Sequence, residues 1–274
     1  MIKKLLKFIV PVFAIGYVSF CAMVYFMPQV FFYNPSSEKA NLENAHKNSY
    51  PAQKVEYQSE DGTPLYAWYT PPQSDKPIIV FMHGNSYNIE KFYHKMLPFY
   101  KSGYGTMLPE YRGFGGVKGR ITQQGLEQDA LAAIKWLNAL GYQNDNIILY
   151  GMSLGSHTAS YVAAQSNFKG LILEVPFDSL YNIVQDRVWM PLPLKYIIKD
   201  KYDNITLIKK VNAPVLIMGA SNDKVVPINR ARTLFDNANY PKNIIIYPNA
   251  EHSNLYNYHN YNDIMKWLKS HEEA

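Results

Sequence analysis

Residues 147–158 read IILYGMSLGSHT, which places a serine between two glycines where a strand-like run gives way to helix-compatible residues. Gly151 and Gly155 lie two positions on either side of Ser153. A Gly-x-Ser-x-Gly turn of this kind holds its serine in a strained backbone conformation, and the glycines let strand and helix pass closely. The stretch therefore predicts a sheet flanked by helices, with the Ser153 hydroxyl presented at a helix N-terminus.

The rest of the chain alternates strand-like and helix-like segments in a way that fits this turn. The central strand-like runs are apolar almost throughout, as strands buried on both faces must be. Eight strands are predicted, at residues 54–59, 65–70, 77–84, 105–111, 146–152, 170–177, 214–220 and 243–249. Helical spacing predicts helices at 123–140, 154–166, 228–238 and about 260–271. An initial hairpin followed by this alternation predicts an α/β fold with a mostly parallel central sheet flanked by helices.

The first thirty-three residues differ in character from the rest of the chain. Residues 8–27 contain no charged side chain, and a helix of that length spans the hydrocarbon layer of a bilayer, about 30 Å. Lys3, Lys4 and Lys7 precede the run, so an uncleaved anchor would keep the N-terminus cytoplasmic and the large domain outside, which means in the periplasm if the source is a Gram-negative bacterium. A cleaved signal peptide is the alternative, although its apolar region is normally shorter.

Composition divides the chain into an N-terminal membrane anchor at residues 1–33, a polar linker at 34–52 and a large α/β domain at 53–274. Within that domain, residues 178–212 form an insert between two predicted strands and carry a proline-interrupted apolar patch. The members of this patch are Trp189, Met190, Leu192, Leu194, Ile197 and Ile198. Two interpretations of the insert remain open: it is a short lid over an apolar pocket, or it packs on the edge of the sheet.

Charge and motif content argue against several kinds of ligand. The formal net charge of the 274 residues is +5, and the three N-terminal lysines supply part of it. The body of the chain has no stripe of Lys and Arg, which argues against a nucleic-acid partner. The sequence contains no HExxH motif, no CxxC pair and no glycine-rich phosphate-binding loop, so neither a metal nor a cofactor is expected. Cys21 is the single cysteine, so no disulfide forms within the chain.

Candidate partners for Ser153 follow two later strands. A serine hydroxyl is a poor nucleophile at neutral pH and needs a histidine base that is itself oriented by a carboxylate. Asp223 and His252 each come directly after a predicted strand, so they are expected at the same edge of the parallel sheet as Ser153. Three further residues are alternatives for the acid and the base: Asp178, His259 and His271.

The same pattern predicts where negative charge on a reacting oxygen would be stabilised. One donor is the backbone N–H of Leu154, directly after the serine, and the other is that of Asn85, in the loop after the strand IIVFM. His83 ends this strand, and we expect it to order the loop through hydrogen bonds rather than to act as a base.

Together these residues resemble the alpha/beta-hydrolase superfamily over nearly all of residues 50–270. The motifs HGN, EYRGFGG, GMSLG, LEVPFDSL, APVLIMGASNDKVVP and AEHSNLY resemble a branch of N-terminally anchored serine hydrolases that includes lysophospholipid lipases and protein depalmitoylases. The segment VKGRIT, which follows EYRGFGG, and Asp178 in PFDSL depart from the pattern of that branch. No substrate is therefore carried over from it.

The resemblance implies the alpha/beta-hydrolase fold and a set of functional residues. It assigns a catalytic triad and two oxyanion-hole donors: Ser153, Asp223, His252, Asn85 and Leu154. The residues at 53–274 would then form the catalytic domain, and this chemistry needs no cofactor.

The sequence thus predicts a membrane-anchored serine hydrolase that cleaves a carboxylic ester or thioester through an acyl-enzyme. The anchor and the apolar insert favour a small acyl ester, a lipid or an acylated protein near the membrane as substrate. A C–C hydrolase or an acyltransferase would use the same triad. The alternative from another class is a catalytically silent hydrolase fold that serves as a membrane-tethered binding protein, which no sequence feature favours because every expected catalytic residue is present.

Overall fold

The computed structural model describes residues 2–188 and 192–272, with side chains for 8–188 and 192–271. Trp189 and Met190 of the predicted apolar patch lie outside these residues. Within the described part, the sheet strands are β1 (Gln53–Gln58), β2 (Pro64–Thr70), β3 (Ile78–Met82), β4 (Gly105–Pro109), β5 (Ile147–Met152), β6 (Gly170–Glu174), β7 (Val215–Ala220) and β8 (Lys242–Tyr247). The α-helices are α1 (Ile2–Phe26), α2 (Pro28–Phe32), α3 (Leu42–Lys47), α4 (Tyr93–Lys101), α5 (Gln123–Ala139), α6 (Gly155–Ala163), α7 (Leu180–Arg187), α8 (Leu194–Ile197), α9 (Asn204–Ile208), α10 (Ile228–Asn237) and α11 (Asn260–Glu272).

The strands form one sheet in the order β8-β7-β6-β5-β3-β4-β2-β1. β1 pairs with β2, and β2 with β4, in antiparallel fashion, whereas the other neighbours are parallel. This is the alpha/beta-hydrolase fold that the sequence predicts. Each predicted strand is present, although several end earlier than expected, because the chain turns away at the carboxyl edge of the sheet where the candidate site lies.

Both faces of the sheet are covered, which explains why its central strands are apolar throughout. Along β3, Ile78 and Val80 point into one core, beneath α5, α6 and α10, while Ile79 and Phe81 point into the other, beneath α4 and α11. All four of these side chains are fully buried. A strand between two layers of helices must therefore be apolar at every position.

Residues 34–52, expected as a linker, fold against the domain. They contain α3, and Tyr50 is fully buried with its hydroxyl 2.5 Å from Thr106 Oγ1 of β4. At the start of the segment, the two residues Asn34–Pro35 pair in parallel with Ser86–Tyr87, which follow β3. The division of the chain at residues 33 and 52 remains a prediction, but the segment is packed rather than free.

A buried ion pair holds the end of β6 in place. Lys95 Nζ of α4 lies 2.7 Å from Glu174 Oε1, and the two side chains are 5% and 0% exposed. The hydroxyl of Tyr150 on β5 donates to the other carboxylate oxygen, which also lies 3.4 Å from Asn260 Nδ2 of α11. Burial raises the pKa of Tyr150, and the adjacent Glu174 raises it further, so the phenol stays a donor. One carboxylate thus ties two helices to two strands.

Lys95→Met tests how much this pair contributes. Breaking a buried pair by removing one partner costs about 3–5 kcal/mol, because the remaining charge stays buried without compensation. We expect the variant to lower the free energy of unfolding by about that amount, measured by denaturant titration of the detergent-solubilised protein followed by circular dichroism. The matched control is Lys54→Met, since Lys54 pairs with Glu56 in an exposed position and should contribute little. Equal effects of the two variants would contradict a stabilising role for the buried pair.

Candidate active site

Ser153 lies on the sharp turn between β5 and α6. Its φ is +51°, in the left-handed region that is unfavourable for a residue with a Cβ. Such a conformation costs about 1–3 kcal/mol and persists only where the surroundings impose it. Here the Ser153 N–H donates to the carbonyl of Glu174 at 2.9 Å, so the end of β6 holds the turn.

The two glycines of the motif are required by close backbone contacts. A Cβ added to Gly151 would lie 2.3 Å from the carbonyl oxygen of Gly155, and one added to Gly155 would lie 1.9 Å from that of Met82 on β3. Both distances are far below any tolerated contact, and the opposing atoms are backbone, which cannot move aside without shifting α6 or β3. Glycine at both positions therefore allows α6 to begin directly against β5 and β3.

Ser153, His252 and Asp223 form one hydrogen-bonded chain. His252 Nε2 lies 2.9 Å from Ser153 Oγ, and His252 Nδ1 lies 2.7 Å from Asp223 Oδ2. The other oxygen of Asp223 accepts from the N–H groups of Val225 and Val226 at 2.7 and 2.8 Å. Because an ionised carboxylate only accepts, Nδ1 carries the proton and Nε2 is left to accept from the serine hydroxyl. This is the arrangement of nucleophile, base and orienting acid that acyl transfer needs.

The alternative acid and bases have other partners. Asp178 accepts from the N–H of Ser179 and from Arg230 of α10, at 2.7 and 3.1 Å, and so ties the start of the insert to α10. His259 is exposed, and the Nδ1 of His271 lies 2.8 Å from the carbonyl oxygen of Trp267 within α11. The hydrogen bonds of Asp178 and His271 therefore stabilise other parts of the fold.

Asn85 and Leu154 lie beside Ser153 and line the same cavity. In the part of the chain that the structure describes, neither backbone N–H donates a hydrogen bond to another residue. Asn85 is held from two sides: its carbonyl accepts from the N–H of Asn34, and its side-chain amide donates to the carbonyl of Phe32, each at 2.8 Å. Two N–H groups next to a nucleophile are what an oxyanion hole requires.

His83 is fully buried and lies in the loop that carries Asn85. Its Nδ1 donates to the carbonyl of Gly84 at 2.8 Å, and its Nε2 lies 3.0 Å from Glu110 Oε1. The second oxygen of Glu110 accepts from the N–H of Ile89, at 3.0 Å. His83 thus orders the loop after β3, in the way that its position in the sequence suggests.

An apolar cavity of about 380 Å³ opens beside Ser153, within the size range of small-molecule sites. Its walls come from α1, the segment at 31–33, the insert and the loop after Asp223. Leu192 and Leu194 of the predicted apolar patch belong to this lining. Leu194 also packs with Ile197 and Ile198 against the end of α1 rather than on the sheet edge.

Two features of the cavity have no signal in the sequence. The hydroxyls of Tyr33 and Tyr202 hydrogen-bond to each other at its wall, and burial raises the pKa of both phenols, so they stay protonated. Phe20 and Val24 of α1 also belong to the wall. Composition assigns Phe20, Val24 and Tyr33 to the predicted anchor and Tyr202 to the insert, and only the tertiary fold brings these two segments together.

Phe8–Phe26 of α1 is long and apolar enough to cross a membrane, with a mean hydropathy of 2.0 and 6% of the segment buried. Membrane anchors and signal sequences share these properties. Among the described residues, no cluster of three or more His, Cys, Asp or Glu side chains is arranged to hold a metal ion.

The sequence matches two family models. The prolyl oligopeptidase family model matches residues 90–273, and the acetyl xylan esterase (AXE1) model matches residues 33–142. The chain is similar to the uncharacterized protein Rv2307c of Mycobacterium tuberculosis, with 33% identity covering 73% of this chain and 72% of that protein. It is also similar to the uncharacterized protein YfhR of Escherichia coli K12, with 28% identity covering 88% and 86% of the two chains.

Solved structures share the fold. The esterase Pf2001 of Pyrococcus furiosus superposes with a TM-score of 0.68 at 18% identity, covering 86% of this chain and 98% of that one. At this level of identity the likeness concerns the fold alone.

Proposed function

We propose that this chain, which belongs to the prolyl oligopeptidase family of the alpha/beta-hydrolase superfamily, is a serine hydrolase that cleaves carboxylic ester or thioester bonds. The observation that carries the proposal is the hydrogen-bonded chain from Asp223 through His252 to Ser153, which ends at an apolar cavity. The match of residues 33–142 to an esterase family model supports ester hydrolysis.

In the proposed reaction, Ser153 Oγ attacks the acyl carbonyl while His252 Nε2 takes its proton. The N–H groups of Leu154 and Asn85 bind the oxyanion that forms, and an oxyanion-hole donor typically contributes about 3 kcal/mol of transition-state stabilisation. His252 then gives the proton to the leaving alkoxide or thiolate, and the acyl-enzyme forms. Water, deprotonated by the same histidine, releases the acyl group and restores the serine. Throughout, Asp223 keeps Nδ1 protonated and stabilises the imidazolium.

We propose a lipid or an acylated protein at the membrane as the natural substrate, in keeping with the apolar N-terminal helix and the apolar residues of the insert. The apolar lining of the cavity supports an acyl chain as its occupant, because such a surface gains free energy when hydrocarbon displaces water from it. We further propose that α1 remains attached as an anchor, with residues 34–52 joining it to the catalytic domain.

Ser153→Ala tests the nucleophile. We expect the variant to lose turnover of p-nitrophenyl butanoate by at least about a thousandfold and to lose labelling by a fluorophosphonate, which reacts with an activated serine. The matched control is Ser160→Ala on α6, the helix that follows Ser153, since Ser160 is buried and its hydroxyl has no hydrogen-bond partner among the described residues. The control should keep both properties. Unchanged turnover in Ser153→Ala would refute the proposal, and absent labelling of the wild type would favour a silent binding protein.

Asp223→Asn tests which acid orients the histidine. An amide cannot stabilise the imidazolium and favours the wrong tautomer, so we expect kcat to fall by about 10³–10⁴-fold. Asp178→Asn is the control, because the side chains of Asp178 and Asp223 are each 1% exposed but Asp178 bonds to Arg230 and the insert. It should change kcat by less than about tenfold. The opposite order of the two effects, measured on the same ester, would reassign the acid.

Protease protection tests the proposed orientation. With Lys3, Lys4 and Lys7 on the cytoplasmic side, the catalytic domain lies outside the cell membrane. We therefore expect a protease added to intact spheroplasts to degrade the domain, while a cytoplasmic marker protein survives. A domain that is degraded only after the membrane is broken would place the catalytic domain on the cytoplasmic side.

A further inference from the structure

The last turns of α1 pack against the insert. Val24 is 6% exposed and is the single buried side chain among those described in α1. It contacts a cluster formed by Leu194, Ile197 and Ile198. Val18, less than two turns earlier on the same helix, is 64% exposed. The C-terminal end of α1, at Val24, therefore packs on the folded domain, whereas the part of the helix around Val18 does not.

That end also lines the cavity beside the nucleophile. Phe20 and Val24 are four residues apart, so they lie on the same face of α1. Both line the cavity together with Ser153 and Leu154. The apolar lining of the cavity thus extends from α1 to Ser153.

Cationic and aromatic groups mark the point where α1 ends. Arg120 donates a hydrogen bond to the carbonyl of Phe26 at 3.2 Å, which satisfies one of the acceptors left free at a helix C-terminus. Lys199 of the insert lies with Nζ 3.8 Å from the ring centroid of Tyr25. Tyrosines and cations are typical of the boundary between hydrocarbon and water. In a protein anchored by α1, the cavity wall at Phe20 and Val24 would therefore lie close to the depth where a bilayer's acyl chains begin.

The chain that leaves α1 is tied to the candidate oxyanion hole. As described above, the carbonyl of Phe32 accepts a hydrogen bond from the side chain of Asn85, and the N–H of Asn34 donates one to the carbonyl of Asn85. These bonds fix the position of the helix end relative to Ser153. The wall supplied by α1 is thus held at a set distance from the reacting atoms.

We propose that Phe20 and Val24 determine acyl-chain specificity, because α1 is a wall of the acyl-binding cavity as well as an anchor. The long acyl chain of an amphiphilic ester lies against these two side chains, while its carbonyl carbon reaches Ser153. The chain enters from the bilayer along α1, so it does not cross water on its way to the site. This inference rests on the proposed hydrolase function and assigns its substrates to esters with long acyl chains.

Val24→Trp in the full-length protein tests the wall. The larger side chain takes up space in the cavity, and each methylene displaced from apolar contact costs about fourfold in binding. We expect the ratio of kcat/KM for p-nitrophenyl dodecanoate to that for the butanoate to fall at least about tenfold. Val18→Trp is the matched control, since it places the same side chain on an exposed position of the same helix. Its ratio should stay within about twofold of the wild type.

A second pair of variants covers the case in which Val24→Trp does not fold. Phe20→Ser makes the wall shorter and polar at a position that is already 41% exposed, and Phe13→Ser is its control at a position 74% exposed. Only the first should lower the chain-length ratio. Fluorophosphonate labelling of Ser153 is measured in every variant to separate the two proposals. Labelled variants whose ratios equal those of their controls would overturn the inference and leave the hydrolase intact. A mature protein whose intact mass lacks α1 would overturn it as well.

Discussion

The contact between Gly155 and the end of β3 is the constraint on which the site depends. A Cβ on Gly155 would overlap the carbonyls of both Met82 and His83. Because α6 begins against that backbone, Leu154 is brought next to the loop that carries Asn85, and Ser153 is forced into its left-handed conformation. One close approach of backbone to backbone therefore positions the proposed nucleophile and both proposed oxyanion donors. With any residue larger than glycine at position 155, Ser153 and α6 could not occupy their present positions.

The features predicted correctly from the sequence are those with a local signal. Strands buried on both faces are apolar at every position, so β3 and β5 are recognisable without knowledge of their neighbours. Asp223 and His252 each follow a predicted strand, and parallel strands bring their carboxyl ends to one edge. The structure accordingly brings both residues to Ser153. Helix α4 is not among the predicted helices, and Pro98 inside it is a residue that normally breaks a helix.

Features that depend on distant contacts could not be predicted in the same way. A lysine in a helix normally reads as a solvated residue, yet Lys95 is buried against Glu174, 79 positions later. Likewise, the apolar composition of α1 predicts an apolar environment for most of its surface. It gives no indication that Val24 contacts the insert. The apolar patch of the insert was recognised, but whether it covers the sheet edge or the cavity depends on that same contact. Its described members pack against α1.

The electrostatics of the cavity connect these features to the proposed chemistry. Asp223 is buried, but two backbone N–H groups and His252 satisfy its carboxylate, so its burial leaves no unpaired charge. The hydroxyls of Tyr33 and Tyr202 satisfy each other. The N–H groups of Leu154 and Asn85 have no such partner within the described residues. An N–H group without a hydrogen-bond partner in an apolar cavity raises the free energy of the folded protein. A hydrogen bond to an oxygen that gains negative charge during the reaction offsets more of this penalty than a bond to a neutral carbonyl does. In the proposed reaction, an apolar wall supplied by α1 therefore does more than hold an acyl chain: by excluding water it leaves these two donors for the transition state.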